Sequence, residues 1–289
     1  MDLIAIFQKY PDHESCIEHL ENVRWGDKPT CPHCGSKYVA RKSENDRIGR
    51  WNCHRCRNSY NVLSGTIFQQ TKQPLQKWFL AIFLLLNVKK SLSSYQLARD
   101  LDINQKTAWL MASKIRGQMG KDNVGMLQGI IKYNECYIGG TPRKTHKHTD
   151  DNPNKRGRGK KQAVIGAIER GGEIKAGPVK NTTSNTLSTF ISASIDRIGS
   201  TLMTDGCKSY RTVQSTMSCA VINHQRQYTD GLIYTGTTER FWTLSRRTWY
   251  AVITITKLKY THRYITEVCY KYNNRQHKDT WSNYQSNIV

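Results

Sequence analysis

Apolar and polar positions alternate with a helical period in the middle of the chain and with a strand period later on. Helical patterning begins near Pro74, a residue favoured in a first helical turn, and continues to Asn87. Its most apolar stretch, residues 78–86, is much shorter than the roughly 20 residues that a membrane span requires. The pattern therefore predicts a buried helix and no membrane partner.

A pair of helices is predicted next, over residues 93–116. The N-cap candidates Ser93 and Asn104, and the small Ala98 between them, are typical of a helix-turn-helix. The side chains expected at the groove-entering end are Asn104, Gln105, Lys106 and Thr107. Those expected nearer the phosphates are Lys114 and Arg116. A helical hairpin that only packs is the open alternative.

From Gly129 the pattern changes to strands, at residues 130–133, 162–169 and 173–179. A helix is predicted over about 183–197, strands at 201–204 and 219–223, and helices at about 237–250 and 258–272. Three meandering strands followed by alternating helices and strands predict an α/β domain with a ribonuclease-H-like fold.

Charge narrows the choice of partner. Lys and Arg number 44 against 22 Asp and Glu, a net charge of +22, and such self-repulsion is best tolerated beside a polyanion. Nucleic acid is the leading partner, although charge alone also fits generic basicity, a ribosome-associated protein or a membrane-surface protein. The first residues lack the features of a secretory signal. We therefore expect a cytoplasmic, nucleoid-associated protein, or a nuclear one in a eukaryotic host.

Four cysteines form two CxxC pairs that are separated by 18 residues: Cys31, Cys34, Cys53 and Cys56. This spacing predicts a zinc ribbon with a structural zinc ion held by four thiolates. The other five cysteines are scattered singly, which favours metal over disulfides: Cys16, Cys136, Cys207, Cys219 and Cys269. Whether the basic residues of the ribbon also contact DNA is left open.

Three polar positions are expected to meet at one edge of the later sheet. Asp205 ends the fourth strand, Glu239 follows 34 residues later in the first turn of a helix, and Asn134 ends the first strand. Carboxylates in such an arrangement hold the paired Mg²⁺ or Mn²⁺ ions of phosphodiester chemistry. Taken singly, Asp205 is more typical of a turn and Glu239 of a helix N-terminus.

From Cys31 to Arg275 the chain resembles the insertion-sequence and Merlin-like transposases, which join a zinc ribbon to an ISXO-type DDE domain. The matching motifs are the four cysteines; residues 65–68, 105–109 and 135–140; Thr204 with Asp205; Asn223 with His224; Glu239 with Phe241 and Trp242; and residues 272–275. The resemblance implies recognition of the element's terminal inverted repeats, metal-dependent strand cleavage and attack of the freed 3′-OH on target DNA. It also implies self-association on double-stranded DNA.

The sequence departs from this family at the first catalytic acid, where Asn134 stands in place of Asp. Gly236 and Arg246 also replace the family's usual Asn and Lys. A neutral amide offers Mg²⁺ neither charge nor a second anionic oxygen. Glu135 is expected on the opposite face, because neighbours on a strand alternate. A bulge that swings Glu135 into the site is the alternative.

Two basic segments are candidates for phosphate contact. Residues 141–161 carry eight Lys and Arg against two acids, predict a loop and include Arg156, Arg158 and Lys160. Arg246 and Arg247 lie on the predicted helix of Glu239. A solvated loop without a partner is the alternative for the first segment. His224 fits either a place at the edge of the site or a structural role.

The expected organisation is a zinc ribbon within residues 1–70, a helix-turn-helix region at 71–125, a DDE domain at 126–276 and a frayed polar tail at 277–289. Two functions remain open: a transposase that is still active, or a DNA-binding remnant or repressor without catalysis. A zinc-ribbon transcription or RNA-processing factor is a third interpretation.

Overall fold

A computed structural model describes residues 2–42, 49–121, 125–139, 161–205, 217–222, 229–230, 233–234, 236–252, 258–286 and 288. These residues form two compact units. The first contains Met1–Asp122 together with His277–Val289, and the second contains Asn123–Gln276. Over the part of the chain that is described, none of the helices combines the length and the apolar character needed to cross a bilayer.

The first unit begins with two helices that the sequence pattern did not predict, α1 (Leu3–Lys9) and α2 (His13–Trp25). Asp12 caps α2 by accepting a hydrogen bond from the Ser15 backbone N–H, and the Ser15 hydroxyl accepts one from Asp12 N–H in return. The ribbon follows as an antiparallel sheet of β1 (Val39–Arg41), β2 (Arg50–Cys53) and β3 (Ser59–Asn61). The Arg24 guanidinium of α2 donates to the carbonyls of Val62 and Ser64, which fixes the segment that leaves the ribbon.

Three helices complete the amino-terminal part: α3 (Leu75–Asn87), α4 (Ser94–Leu101) and α5 (Gln105–Met119). Ser93 and Asn104 cap α4 and α5 as predicted, and each accepts a hydrogen bond from a backbone N–H of its helix. Asp102 adopts a left-handed conformation (φ 48°) in the short turn between them. The predicted helical pair is therefore confirmed.

The second unit contains a five-stranded sheet. Its strands are β4 (Ile130–Ile138), β5 (Gln162–Glu169), β6 (Ile174–Val179), β7 (Thr201–Asp205) and β8 (Ser218–Ile222). Their order is β6-β5-β4-β7-β8; β4, β5 and β6 are antiparallel, whereas β4, β7 and β8 are parallel. This is the predicted ribonuclease-H-like fold, with the central strand formed by the first strand of the domain.

Helices and a small hairpin surround this sheet. Helix α6 (Ser184–Ser194) precedes β7, and the two-stranded pair β9 (Thr229–Asp230) and β10 (Ile233–Tyr234) follows β8. Two long helices close the unit, α7 (Gly236–Val252) and, after a short 3₁₀ turn at Leu258–Tyr260, α8 (Thr261–Asn273).

Strand alternation divides the second unit into two cores. On β4, Ile131 and Tyr133 pack with Leu187 and Ile191 of α6 on one face of the sheet. Cys136 and Ile138 pack on the other face with residues of α7 and α8. The even-numbered positions of β4, including Asn134, therefore share the face that the last two helices cover.

The carboxy-terminal residues do not form the expected frayed tail. They contain helix α9 (Thr280–Ser286), which packs on α2 and α3 of the first unit. Trp281 and Tyr284 are buried, and the Tyr284 hydroxyl donates to the carbonyl of Ile115 at 3.0 Å. The expectation was wrong because the polar composition of the segment concealed a few apolar residues with a distant partner surface.

Candidate functional site

The four cysteines of the two CxxC motifs meet in one cluster, as the spacing predicted. Their sulfur atoms all lie within 4.8 Å of one another. The Sγ atoms of Cys31 and Cys56 are 3.7 Å apart, and those of Cys34 and Cys53 are 3.6 Å apart. Sulfur ligands that each lie about 2.3 Å from a tetrahedral zinc ion are separated from one another by nearly these sulfur–sulfur distances. The donor set and its geometry therefore fit a structural zinc ion.

The surroundings of the cluster favour a thiolate at one of the four cysteines. Backbone N–H groups of Cys56 and Arg55 donate to Cys53 and lower the pKa of this thiol to about 6, whereas burial and hydrogen bonds with the other cysteines raise the pKa of Cys34. Trp25 of α2 lies edge-on to Trp51 and to Tyr60, and this aromatic group packs around the cysteines. A zinc ion would hold the two hairpin ends of the ribbon together, beside the last residue of helix α2.

Asn134 lies in the middle of β4, half-buried, on the face covered by α7 and α8. Its side-chain oxygen accepts a hydrogen bond of 2.6 Å from the backbone N–H of Glu135. The pairing of β4 with β5 runs without interruption from Ile131 to Ile138, so no bulge brings Glu135 to the face of Asn134. The first position of the predicted acidic triad thus carries a neutral amide whose oxygen is already engaged by the main chain.

The register of β4 and β7 relates Asp205 to Asn134. The parallel ladder pairs Ile130 with Thr201 and Lys132 with Met203, and it ends at that pair. Asp205 is the last residue of β7, two residues beyond Met203, as Asn134 is two residues beyond Lys132. The same register, continued by two residues, would set positions 134 and 205 side by side on adjacent strands.

Helix α7 brings the third position towards the same face. Trp242 is buried and lies directly over Gly166, the residue that pairs with Asn134 on β5. Glu239 precedes Trp242 by three residues, which is close to one helical turn. The side chains of Asp205 and Glu239 lie outside the described part of the structure, so the placement of these two acids rests on the backbone of β7 and α7.

The site therefore does not match a two-metal centre as it stands. The described donor at its first position is neutral and bonded to the backbone. Two divalent ions held together require several anionic oxygens. No reaction step through a metal ion follows from this set of residues.

Sequence reasoning missed a buried cation on this face. Lys132 lies two residues before Asn134 on β4, between Ile168 of β5 and Met203 of β7, and is 1% exposed. Burial and the nearby Arg170 guanidinium lower the pKa of Lys132 to about 8. The signal in the sequence was a lysine at an interior position of a strand that is otherwise largely apolar.

The predicted groove-entering residues differ in their solvent exposure. Lys106 is exposed in the first turn of α5, and Leu110, one turn later, is 51% exposed. The Gln105 amide donates to the Ser94 hydroxyl at 2.8 Å and so links α5 to α4. Thr107 is half-buried. Of the four predicted residues, Asn104 and Lys106 are consequently the exposed ones, and the Asn104 oxygen also caps α5.

Two basic residues that the sequence placed near phosphates make hydrogen bonds within the first unit. Arg116 is 2% exposed, and its guanidinium donates to the Ser91 hydroxyl and the Leu92 carbonyl. The expectation was wrong for Arg116, because its side chain is buried. The Lys114 ammonium donates to the Ile67 carbonyl and lies over the ring of Trp78, and the half-buried Lys114 stays a predicted phosphate contact.

Arg246 and Arg247 are both exposed on α7, whereas Phe241 and Trp242 are buried, as predicted for the packing face of this helix. The Arg246 Nε donates to Cys136 Sγ at 3.2 Å, which places its guanidinium group beside the face of Asn134. Arg156, Arg158 and Lys160, like His224, lie outside the described residues.

Comparisons with known proteins support this architecture. A family model described as an ISXO2-like transposase domain matches residues 126–273, and one described as a transposase zinc-ribbon domain matches residues 11–59. A relative described as an uncharacterized protein in transposable element ISH50 of Halobacterium salinarum is 25% identical over 242 residues, which cover 79% of this chain and 80% of the relative.

Solved structures of lower similarity include the Mos1 strand transfer complex, with 13% identity, a TM-score of 0.25 and coverage of 71% of this chain and 78% of that one. A pre-cleavage Mos1 transpososome has 12% identity and a TM-score of 0.25, and covers 71% of this chain and 79% of that one.

Proposed function

We propose, because this chain belongs to the ISXO2-like transposase family, that it binds double-stranded DNA at the terminal inverted repeats of its element and is impaired in strand cleavage and strand transfer. The observation that carries the proposal is Asn134, a neutral side chain whose oxygen accepts a hydrogen bond from the backbone N–H of Glu135, where the metal site needs an anion. According to this proposal, the chain retains DNA binding while its strand cleavage and strand transfer are impaired.

DNA binding is supported by charge and by the accessible end of α5. The chain carries a net charge of +22, and Lys106 projects from the first turn of α5, whose backbone N–H groups also attract phosphate. In a helix-turn-helix, the amino-terminal residues of the second helix contact base edges in the major groove. Arg246 and Arg247, with Arg156, Arg158 and Lys160, are proposed to contact the backbone of the terminal repeats or of target DNA.

The impairment follows from the electrostatics of phosphoryl transfer. Asp205 and Glu239 supply two acidic positions, and in an active site a third carboxylate at position 134 helps hold Mg²⁺ or Mn²⁺ beside the scissile phosphate. Asn134 removes one negative charge from that set. Glu135 does not replace it, because the uninterrupted ladder keeps this residue on the α6 face.

Strand cleavage on DNA that carries the terminal repeats tests the catalytic half of the proposal. The unmodified protein, Asn134→Asp, and Asn134→Asp with Asp205→Asn are compared in Mg²⁺ and in Mn²⁺. We expect cleavage with Asn134→Asp, at least a hundredfold slower cleavage with the unmodified protein, and none with the double variant. Equal cleavage by the unmodified protein and Asn134→Asp would overturn the assignment of position 134.

Binding to repeat-end and scrambled duplexes tests the other half, measured by fluorescence anisotropy over a range of salt concentrations. Lys106→Ala should weaken repeat-end binding about fivefold or more, whereas Lys121→Ala, which removes an equal charge beyond the end of α5, should change it less than twofold. Each neutralised phosphate should contribute about 0.9 to the slope of log K against log salt. Binding that is insensitive to salt would rule out the DNA proposal.

An active transposase is the second candidate, favoured by the parallel register of β4 and β7 and by the family match over residues 126–273. Transposases bridge two DNA ends, so both candidates include self-association on DNA. Sedimentation of the protein with and without repeat-end duplex measures it.

A further inference from the structure

The sheet face that carries Asn134 also contains a buried positive charge. Lys132 is 1% exposed and is flanked by Ile168 and Met203, its partners on the neighbouring strands. A buried ammonium group is costly unless a carboxylate or polar groups compensate it. Its burial at this position therefore demands a compensating group on or beside the same face.

The register places an acid on the same face. Lys132 pairs with Met203, and Asp205 is the next residue of β7 on that face. By backbone position, Asp205 therefore lies one strand across from Lys132 and two residues further along. With Asn134 neutral, positions 132, 134, 203 and 205 include one cationic and one acidic residue.

We propose that Lys132 is a positioning residue that acts as an internal counter-cation for Asp205 and competes with a divalent metal ion for that carboxylate. The inference rests on the proposed function, since it assumes that Asp205 belongs to a metal site. It deepens that proposal by naming a second obstacle to metal binding: restoring the acid at position 134 leaves the Lys132 ammonium group on the face where the ion would bind. An ammonium group and a divalent cation repel each other strongly in a buried site, where screening is weak.

Metal binding, measured without DNA and without turnover, tests this inference on the full zinc-loaded chain. Mn²⁺ affinity is determined by titration with electron paramagnetic resonance detection for Asn134→Asp and for Asn134→Asp with Lys132→Met. Methionine fills a volume similar to that of lysine without the charge. We expect the double variant to bind Mn²⁺ at least tenfold more tightly than Asn134→Asp alone.

Two further variants in the Asn134→Asp background serve as controls. Lys132→Arg keeps the charge and should leave Mn²⁺ affinity as weak as in Asn134→Asp. Lys175→Met removes a partly buried lysine on β6. The strand partner of Lys175 is Ala167, which belongs to the core on the opposite face of the sheet. Lys175→Met should therefore change Mn²⁺ affinity less than twofold. Thermal melting of each variant verifies that it is folded, and Lys132→Gln replaces Lys132→Met if the latter does not fold.

The possible outcomes separate the two proposals. If Asn134→Asp gains Mn²⁺ binding and the loss of Lys132 adds less than twofold, the counter-cation inference is overturned and the metal site stands. If neither variant binds Mn²⁺ more tightly than the unmodified chain, the metal-site assignment fails and the role of Lys132 fails with it.

Discussion

Trp242 of α7 packs so closely on Gly166 of β5 that a Cβ atom added to Gly166 would lie 3.0 Å from Cζ2 of the indole. Gly166 is the strand partner of Asn134, so the contact determines how near the first turn of α7 comes to the candidate site. The absence of a side chain at position 166 is what lets the helix that carries Glu239 approach the central strand.

Gly166→Ala should therefore destabilise the second unit and displace α7. The added methyl group meets Trp242 and also Ala176 at 3.2 Å, and overpacking of this kind costs about 1–3 kcal/mol. Chemical unfolding measures the loss. The control is Gly177→Ala on β6, where a Cβ atom meets nothing within 4 Å. Equal effects of the two substitutions would show that the contact with Trp242 does not restrict α7.

Zinc removal should unfold the ribbon. The four clustered thiols are expected to bind a single zinc ion per chain, and such binding is worth roughly 10–16 kcal/mol in zinc-finger peptides. Atomic absorption measures the zinc content, and tryptophan fluorescence reports on Trp25 and Trp51 beside the cluster. Cys56→Ser should lower both the zinc content and the melting temperature.

The matched control for zinc binding is Cys219→Ser, since Cys219 is a free cysteine on β8 and lies outside the cluster. Full zinc content in Cys56→Ser would contradict the four-thiolate site.

The stability of the first unit should fall as the pH drops from 7.5 to 5.5. Burial of His19 lowers its pKa below the ordinary histidine value of about 6.5, although the hydrogen bond that His19 Nε2 donates to Gln285 Oε1 opposes this shift. The unfolded chain then binds more protons than the folded chain below about pH 6.5, so stability is present above that pH and is lost as the pH falls towards the folded pKa. Melting temperatures at the two pH values measure the loss.

The zinc thiolates also weaken at low pH, so His19→Gln is the necessary comparison. Glutamine carries no titratable group, so the melting temperature of the His19→Gln variant should fall less over the same pH range. A fall as large as that of the unmodified chain would show that the protonation of His19 does not contribute.

Loss of the carboxy-terminal helix should destabilise the amino-terminal unit. The Trp281 ring lies 5.6 Å from that of Phe79 and 6.2 Å from that of Tyr10, centroid to centroid. Trp281→Ala should therefore cost about 3–5 kcal/mol, measured by chemical unfolding. Ser286→Ala, at the exposed end of α9, should change the free energy of unfolding by less than about 0.5 kcal/mol. An unchanged stability in Trp281→Ala would mean that α9 does not support this unit.

The sequence by itself determined the candidate zinc ligands, the succession of the five sheet strands in the second unit and the helices between Leu75 and Asn273. These features depend on local information: the spacing of paired cysteines, the alternation of apolar residues along each strand, and the capping residues Ser93 and Asn104. It also indicated Asn134 as the weak point of the site, because the type of residue alone decides whether a carboxylate is present.

Only the tertiary structure decided which polar side chains are accessible. The sequence predicted that Arg116 and Lys114 contact phosphates, yet both side chains donate hydrogen bonds to carbonyls inside the first unit. Lys132 read as an ordinary strand residue, yet it is buried two residues from Asn134. Burial depends on which distant segments cover a residue, and a local pattern does not contain that information.

The same reason explains the segment 277–289. Its apolar residues Trp281 and Tyr284 are too few to predict a helix from the sequence, and their partner surface comes from α2 and α3, more than 190 residues earlier in the chain. A short helix of this kind is stable through the apolar area that it buries rather than through its own propensity. The sequence therefore determined which elements could form, and the packing of remote segments decided which side chains were left for function.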